Sequence, residues 1–435
     1  MTLKIVGQRE KRYDGLAHIT GETRFVDDVI IPGMLAVKVL RSPVVKGKVK
    51  KLDTAAAERG AGVAAVITAK DVPHNAFGPM VPDQPVLAQE IRYRGEPIAA
   101  VAAVDEDTAM EAVARIKVDI EEEEGVIDPL EAMKPEAPKI RPEGNLYMFS
   151  DKPFREIISG NAEAGFKEAD EIVETEYVES SFEHTALETQ CSVAVPEANG
   201  KLTIYTVSQD PWQHIVILCS ILKMPMSKVR YIGGTVGGGF GGKNDIHVDH
   251  VTALLALKTG RPLKWRWTRG EELLYSTHRG AWHIKFKDGV KKDGRIVARQ
   301  FKTIRDSGAY TSLNPVGVEL NCLTATGPYY IPNVRIEGYL VYTNKPMSMS
   351  MRGFAINEAN YATEVQMNRL AEAIGMDPWE IRFINAYRNG DKMPVGKVLD
   401  SVALVEVMQA LAQKAGVDLP ARLKAMTSAR REVER

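Results

Sequence analysis

Twelve consecutive residues, Gly-Gly-Thr-Val-Gly-Gly-Gly-Phe-Gly-Gly-Lys-Asn from Gly233 to Asn244, contain seven glycines. So little side chain lets the backbone approach another group closely. Successive peptide N–H groups can then converge on an anion or a metal-oxo group. The preceding Lys-Val-Arg-Tyr-Ile reads as a strand. Asp245 to Lys258, with Ile246, Val251, Leu254, Leu255 and Leu257, reads as a helix closed by Gly260 and Pro262. A glycine-rich turn between strand and helix is a place where anions are held.

The chain has 435 residues, enough for two or three domains, and 44% hydrophobic with 26% charged residues is ordinary globular composition. A net charge of -1 argues against nucleic acid or a charged membrane as the main partner. No apolar run approaches a membrane span. The first ten residues lack the apolar centre of a signal peptide, so a cytoplasmic location is expected. Cys191, Cys219 and Cys322 lie far apart, without iron–sulfur or zinc spacing, and read as small buried apolar residues. If the protein moves electrons, the iron–sulfur relay is on another chain.

Residues 12–125 read as one α/β unit. Its strands are Met34 to Leu40, Val63 to Thr68, Ile98 to Val104 and Ile116 to Ile120, and Thr108 to Arg115 is its helix. Residues 126–144, with Pro129, Pro135, Pro138 and Pro142, suit a surface linker. A larger unit covers 145–416. It has a short polar helix within 160–169, strands near 172–178, 192–195 and 202–207, and a helix from Trp212 to Leu222. Ile284 to Phe286, Ile296 to Phe301 and Val334 to Tyr342 look like an antiparallel sheet. Asp377-Pro378-Trp379-Glu380 is a capped helix start. Ser401 to Ala415 is a helix with Leu404, Met408 and Leu411 on one face. The polar tail, 417–435, reads as loose helix or disorder.

Three readings of the glycine loop compete. Gly237 to Gly242 fits G-x-G-x-x-G and Gly237 to Lys243 fits G-x-x-x-x-G-K, both weak alone. The phosphate loop then needs Ser or Thr where Asn244 stands. The dinucleotide form needs an acid at the end of the next strand, and Leu263 to Trp267 has none. A metal site on the following helix would use Asp245, His247, Asp249 and His250. The spacing is not H-E-x-x-H, and a polar face or a hydrogen-bond network fits as well.

The third reading rests on resemblance. Thr206-Val207-Ser208-Gln209, the loop Val236 to Lys243 and the segment Asn344 to Phe354 ending in Arg-Gly-Phe occur in this order. Together they resemble the molybdenum-binding subunit of the xanthine dehydrogenase and aldehyde oxidase family. Arg12 to Asp28, Leu40 to Pro43, Tyr93 to Pro97, His184 to Glu188 and Gly375 to Ala386 resemble it too, so the likeness runs over residues 10 to 415. It implies an α+β (α/β) chain, an N-terminal α/β hammerhead domain followed by a mixed α/β molybdopterin-binding domain. The implied cofactor is molybdenum with molybdopterin cytosine dinucleotide. Gln209, Gly238, Gly239, Phe240, Gly241 and Arg352 would hold it. Gln209 would act through its amide, Phe240 and Gly241 through peptide N–H groups, and Arg352 through backbone and charge. Gln209, Phe240 and Arg352 would face the molybdenum-bound ligands. Phe354 would be an aromatic wall for a planar substrate, and Asn244 a second substrate contact.

Departures from the family pattern narrow this. Asn244 replaces a glutamate of purine-oxidising relatives, and Glu319-Leu320-Asn321 stand where their arginine is expected. Met349 replaces the cysteine of the carbon-monoxide branch. Asn357-Glu358 replaces the usual Pro-Gln. The family's catalytic glutamate has no counterpart here, so no catalytic base is assigned to this chain. The resemblance implies the larger half of a split subunit. Its partners would be a second molybdopterin-binding chain that supplies the base, an iron–sulfur chain with [2Fe-2S] clusters and an FAD chain. The expected reaction inserts a water-derived oxygen into an electron-poor C–H bond of an N-heteroaromatic (nicotinate- or purine-like) or aldehyde substrate. A non-catalytic scaffold of the same fold, or an aromatic reductase resembling 4-hydroxybenzoyl-CoA reductase, are the alternatives.

Overall fold

Val63–Thr68 and Pro97–Ala103, two of the most apolar runs in the chain, pair antiparallel at one side of a seven-stranded sheet. The order is Val229–Gly233, Leu202–Thr206, Cys191–Pro196, Leu263–Arg266, Leu35–Arg41, Pro97–Ala103, Val63–Thr68. The computed structural model describes residues 4–429, and these divide into two units. Residues 4–123 and Glu183–Ser276 form the first, which holds this sheet; Glu124–Phe182 and residues 277–429 form the second. The sheet is continuous because Leu35 pairs in parallel with Leu263, and Ala36 with Lys264. Strands far apart in sequence therefore share one core.

Residues 98–103 are fully buried, as expected of an interior strand covered on both faces. The helices Pro211–Leu222 and Asp249–Thr259 contribute Leu218, Ile221, Leu254 and Leu255 to the core around Trp265. The second helix begins later than its apolar pattern indicates. Asn244 is committed elsewhere: its N–H donates to Gly241 O at 3.2 Å and its carbonyl accepts from His214 Nε2 at 2.9 Å. Residues 245–248 stay in the turn. A smaller antiparallel sheet joins Glu90–Ile91, Gly47–Asp53 and Lys117–Glu122.

The second unit is built on five strands, in the order Arg155–Ser159, Val334–Tyr342, Ile296–Gly308, Trp282–Val290, Glu171–Glu179. Trp282–Val290 and Ile296–Gly308 are antiparallel, joined by a short turn. Ile296–Gly308 and Val334–Tyr342 are parallel, which corrects the all-antiparallel expectation. A parallel pair needs a long crossover, and the helix Asn314–Leu323 lies in that connection.

Three further expectations change. The proline-rich 129–142 stretch is no plain surface linker: Pro129–Ala132 is helical, and Ile140 and Arg141 are buried. Asn145 holds it, accepting from Ile140 N and donating to Ala132 O and Pro138 O. On the helix Leu404–Lys414, Leu411 is 56% exposed, and the buried positions are Val405 and Ala412. Part of the tail is ordered: Leu419 and Leu423 pack with Val405 and Ala412. The rest of the tail expectation, 430–435, lies outside the described residues. No helix among the described residues is long and apolar enough to cross a membrane.

One buried ion pair pins the register of the second sheet. Asp288 and Arg299 are cross-strand partners, both fully buried. Arg299 Nε and Nη2 donate to the two Asp288 oxygens at 2.8 and 2.7 Å, and Nη1 donates to Ala325 O at 2.8 Å. Breaking such a pair leaves an uncompensated charge. Asp288→Ala should destabilise the protein by about 3–5 kcal/mol in urea unfolding, and Asp288→Leu with Arg299→Met should recover most of the loss. A cost near zero for the single variant would contradict this role.

Candidate functional site

The glycine run leaves the sheet at Gly233 and forms a turn held by side chains from outside it. Gln209, in the loop before the helix Pro211–Leu222, is the centre of that hold. Its Oε1 accepts from Gly241 N at 2.9 Å and Lys243 N at 3.3 Å, and its backbone N–H donates to Lys243 O at 2.9 Å. Two peptide donors at one end of the carboxamide settle its orientation, because only the oxygen can accept. The Nε2 donor then points away from the loop. Gln209 is exposed within its unit.

The local sequence allows this close approach. A Cβ on Gly239 would overlap the Gln209 carboxamide, and one on Gly237 would come within 2.6 Å of Glu188 Cβ. Gly238 and Gly241 have φ of +96° and +104°, and Phe240 between them has φ +55°. For a residue with a Cβ this left-handed conformation costs about 1–2 kcal/mol. Phe240 is 44% exposed.

The loop's own polar groups divide into used and unused. Gly237 N donates to Glu188 Oε2 at 2.7 Å, and Gly242 N to Gly239 O at 2.8 Å. Gly241 N–H, expected to face a metal-bound oxygen, is instead taken by Gln209 Oε1. The N–H groups of Gly238, Gly239 and Phe240 meet no acceptor among the described residues. Unpaired peptide donors converging in a glycine turn form an anion-binding concavity. With Gln209 Nε2 they fit a group that carries acceptor oxygens.

Buried charges brace the turn from behind. Lys243 Nζ donates to Glu188 Oε2 at 2.6 Å. Burial lowers the Lys243 pKa, with Glu188 opposing. Gln190 Nε2 donates to Gly242 O at 2.9 Å, and Gln190 N to Glu272 Oε2 at 2.8 Å. His214 Nε2 holds the Asn244 carbonyl, while Nδ1 lies 3.1 Å from Tyr231 Oη, which donates to Asp249 at 2.7 Å. Burial alone would lower the His214 pKa; Asp249, the Asn244 carbonyl and Asp245 together raise it. Asn244, the expected substrate contact, is half-buried with both backbone groups engaged.

The residues weighed as a metal site do not converge. Asp249 belongs to the His214–Tyr231 network, and His250 lies edge-on to Phe77, its pKa lowered to about 4 by burial. Among the described residues no three His, Cys, Asp or Glu side chains are placed to hold a metal ion. Sequence reasoning missed His214, Gln190 and Glu272. The available signal for the first was a histidine directly before the apolar run Ile215 to Leu218 in the helix Pro211–Leu222.

Arg352 and Phe354 belong to the second unit. Arg352 is exposed, and its carbonyl accepts from Asn357 Nδ2 at 2.5 Å. Phe354 is half-buried with φ +40°. The Asn357-Glu358 departure now has a physical account. Asn357 closes the turn, and Glu358 is buried with an oxygen 2.8 Å from Arg279 Nε. Glu319, where relatives were expected to carry arginine, pairs with Arg155.

Burial pushes the Glu272 carboxyl up to about 7 from an ordinary 4.5. The neutral acid is thus favoured in the folded state. Its contribution to stability is full below about 4.5 and is lost as pH rises through about 7. Glu272→Gln keeps the acceptor for Gln190 N–H and removes the titration. Between pH 5 and 8 the wild type should lose on the order of 2 kcal/mol relative to this variant, read as a drop of several degrees in relative Tm. A difference independent of pH would contradict the assignment.

Comparison with known proteins shows the family. Residues 145–386 match the molybdopterin cofactor-binding domain. Residues 20–124 match the a/b hammerhead domain of aldehyde oxidase and xanthine dehydrogenase. The chain is 38% identical over 386 residues to a probable xanthine dehydrogenase subunit of Bacillus subtilis, covering 88% of this chain and 51% of that protein. It is 35% identical over 415 residues to the nicotinate dehydrogenase large molybdopterin subunit of Eubacterium barkeri, covering 95% of this chain and 96% of that one. The solved aldehyde oxidoreductase from Desulfovibrio gigas superposes with a TM-score of 0.88 at 28% identity, over 93% of this chain and 46% of that chain. The chain thus spans about half the length of the Bacillus and Desulfovibrio proteins and nearly all of the Eubacterium one. With both domain patterns and the fold in agreement, the chain belongs to the family of aldehyde oxidases and xanthine dehydrogenases and carries its hammerhead and molybdopterin cofactor-binding domains.

Proposed function

We propose that this chain is the molybdenum-cofactor-binding subunit of a multi-subunit hydroxylase. It would act on an electron-poor C–H bond of a planar N-heteroaromatic or aldehyde substrate, with molybdopterin cytosine dinucleotide as cofactor. The observation that carries this reading is the oriented Gln209 carboxamide. Its oxygen is fully used by the loop, which leaves Nε2 as an outward donor beside three unpaired peptide N–H groups. When bound, the cofactor supplies two-electron redox chemistry and the oxygen that is transferred.

This chain's residues then bind and orient. Gln209 Nε2 and the N–H groups of Gly238, Gly239 and Phe240 would hold acceptor oxygens of the cofactor, as donors whose positions are set in advance. In the second unit, Arg352 carries a charge and a peptide N–H that is unengaged among the described residues. Phe354 offers a ring face or edge to a planar substrate. The general base would be a glutamate of a second molybdopterin-binding chain. The [2Fe-2S] clusters and FAD would be held by further partner chains. The expectation of Gly241 as a direct contact is replaced by a role in orienting Gln209. The scaffold alternative is the weaker reading, since Asn357 bonds to the Arg352 carbonyl and Glu358 faces Arg279, so both departures have structural roles.

Two measurements test this. The complex purified with its partner chains should contain molybdenum, and metal analysis that finds none refutes the proposal. Gln209→Ala should lower turnover by about 10²–10³-fold, the usual effect of removing one such donor, with molybdenum content retained. Undiminished turnover in a fully loaded variant would count against the role of Gln209.

A further inference from the structure

Gly353, Phe354 and Ala355 have φ of +100°, +40° and +70° in succession, immediately before the helix Ile356–Ala373. Two of the three carry a Cβ. Each costs on the order of 1–3 kcal/mol and persists only where the surroundings over-determine it. The surroundings here are specific. The carbonyls of Met349, Arg352 and Ala355, three residues apart, each accept from a side chain: Arg305 Nη2 at 2.8 Å, Asn357 Nδ2 at 2.5 Å and Asn321 Nδ2 at 2.9 Å. Phe354 N donates to Met351 O at 2.5 Å. A Cβ on Gly353 would overlap the Asn357 amide, and one on Gly317 would overlap Arg305 and touch the Phe354 ring at 3.4 Å.

The peptide bond is planar, so its C=O and N–H point opposite ways. Fixing the Arg352 carbonyl therefore fixes the Gly353 N–H, which meets no acceptor among the described residues. We propose that Asn357 is a positioning residue: it locks the Arg352–Gly353 peptide plane, and through it the left-handed conformation that presents Phe354. Asn321 anchors the far side of the same turn. The consequence for substrate rests on the function proposed above; the locking of the turn does not. Asn357 is exposed, and among the described residues its side chain bonds only to the turn's backbone, so its loss spares the core.

The test uses the assembled holoenzyme with Asn357→Ala and with Asn357→Asp, which keeps the volume and removes the donor. Hydrogen exchange read on peptides spanning 351–357 should speed up about tenfold in both, the effect of one lost hydrogen bond of roughly 1.4 kcal/mol, with residues 362–371 unchanged. Against a panel of nicotinate, xanthine, quinoline and benzaldehyde, the best substrate should show KM raised about tenfold with kcat within about threefold, and unchanged molybdenum content. Unaltered exchange in both variants overturns the proposal, as does a KM unchanged beside faster exchange. If wild type turns over none of the panel, the functional reading fails, and the exchange result alone decides whether Asn357 locks the turn.

Discussion

One hydrogen-bond arrangement governs the glycine loop: the Gln209 carboxamide oxygen caps the N–H groups of Gly241 and Lys243. This fixes which end of the side chain faces outward. It also explains why position 239 must be glycine, since any Cβ there would occupy the space of the carboxamide. Oxygen-binding donors are useful only if nothing inside the protein uses them, and buried donors without partners are costly. The loop resolves the conflict by engaging Gly237, Gly241, Gly242 and Lys243 internally and leaving the three donors between them free. The pairs Lys243–Glu188, Gln190–Glu272 and His214–Asn244 supply rigidity from beneath.

The Arg352–Phe354 turn in the second unit works on the same principle with the roles of the backbone groups exchanged. There the carbonyls are taken by side chains, and the N–H groups of Arg352 and Gly353 are left over. In both places non-glycine residues sit at positive φ, Phe240 in one and Phe354 with Ala355 in the other. Strain of this kind concentrates where a backbone is held ready for a ligand. It is tolerated because large cores, around Trp265 in one unit and Phe301 in the other, stabilise the surroundings.

Much of this was legible in the sequence, and the remainder has identifiable causes. Val63–Thr68 was readable to the residue because an apolar β-branched run is a local signal. The Asp377 cap was readable because Asp-Pro-Trp-Glu encodes it, and Asp377 does accept from Trp379 N and Glu380 N. The parallel pairing of Leu35 with Leu263 carries no local signature, so the interleaving of the two units along the chain was not visible. The direction of Val334–Tyr342 was misread because strand patterns are the same in parallel and antiparallel ladders. Leu411 was placed on a buried face by spacing alone, while Val405 and Ala412 set the true face. Gln209 was found through the order of motifs, but its orientation, and hence the reassignment of Gly241, needed coordinates. The role of Asn357 is not legible from the Pro-Gln replacement because its partner is the backbone of Arg352, a carbonyl that no side-chain pattern reports.

The central claim concerns distances that a structure of the assembled, cofactor-loaded complex would measure directly. The account predicts cofactor oxygens about 2.7–3.2 Å from Gln209 Nε2 and Phe240 N, with Gln209 Oε1 still bound to Gly241 N. A carboxamide turned over, with its oxygen facing the cofactor, or a glycine loop with no cofactor atom within reach of its three free donors, would contradict it.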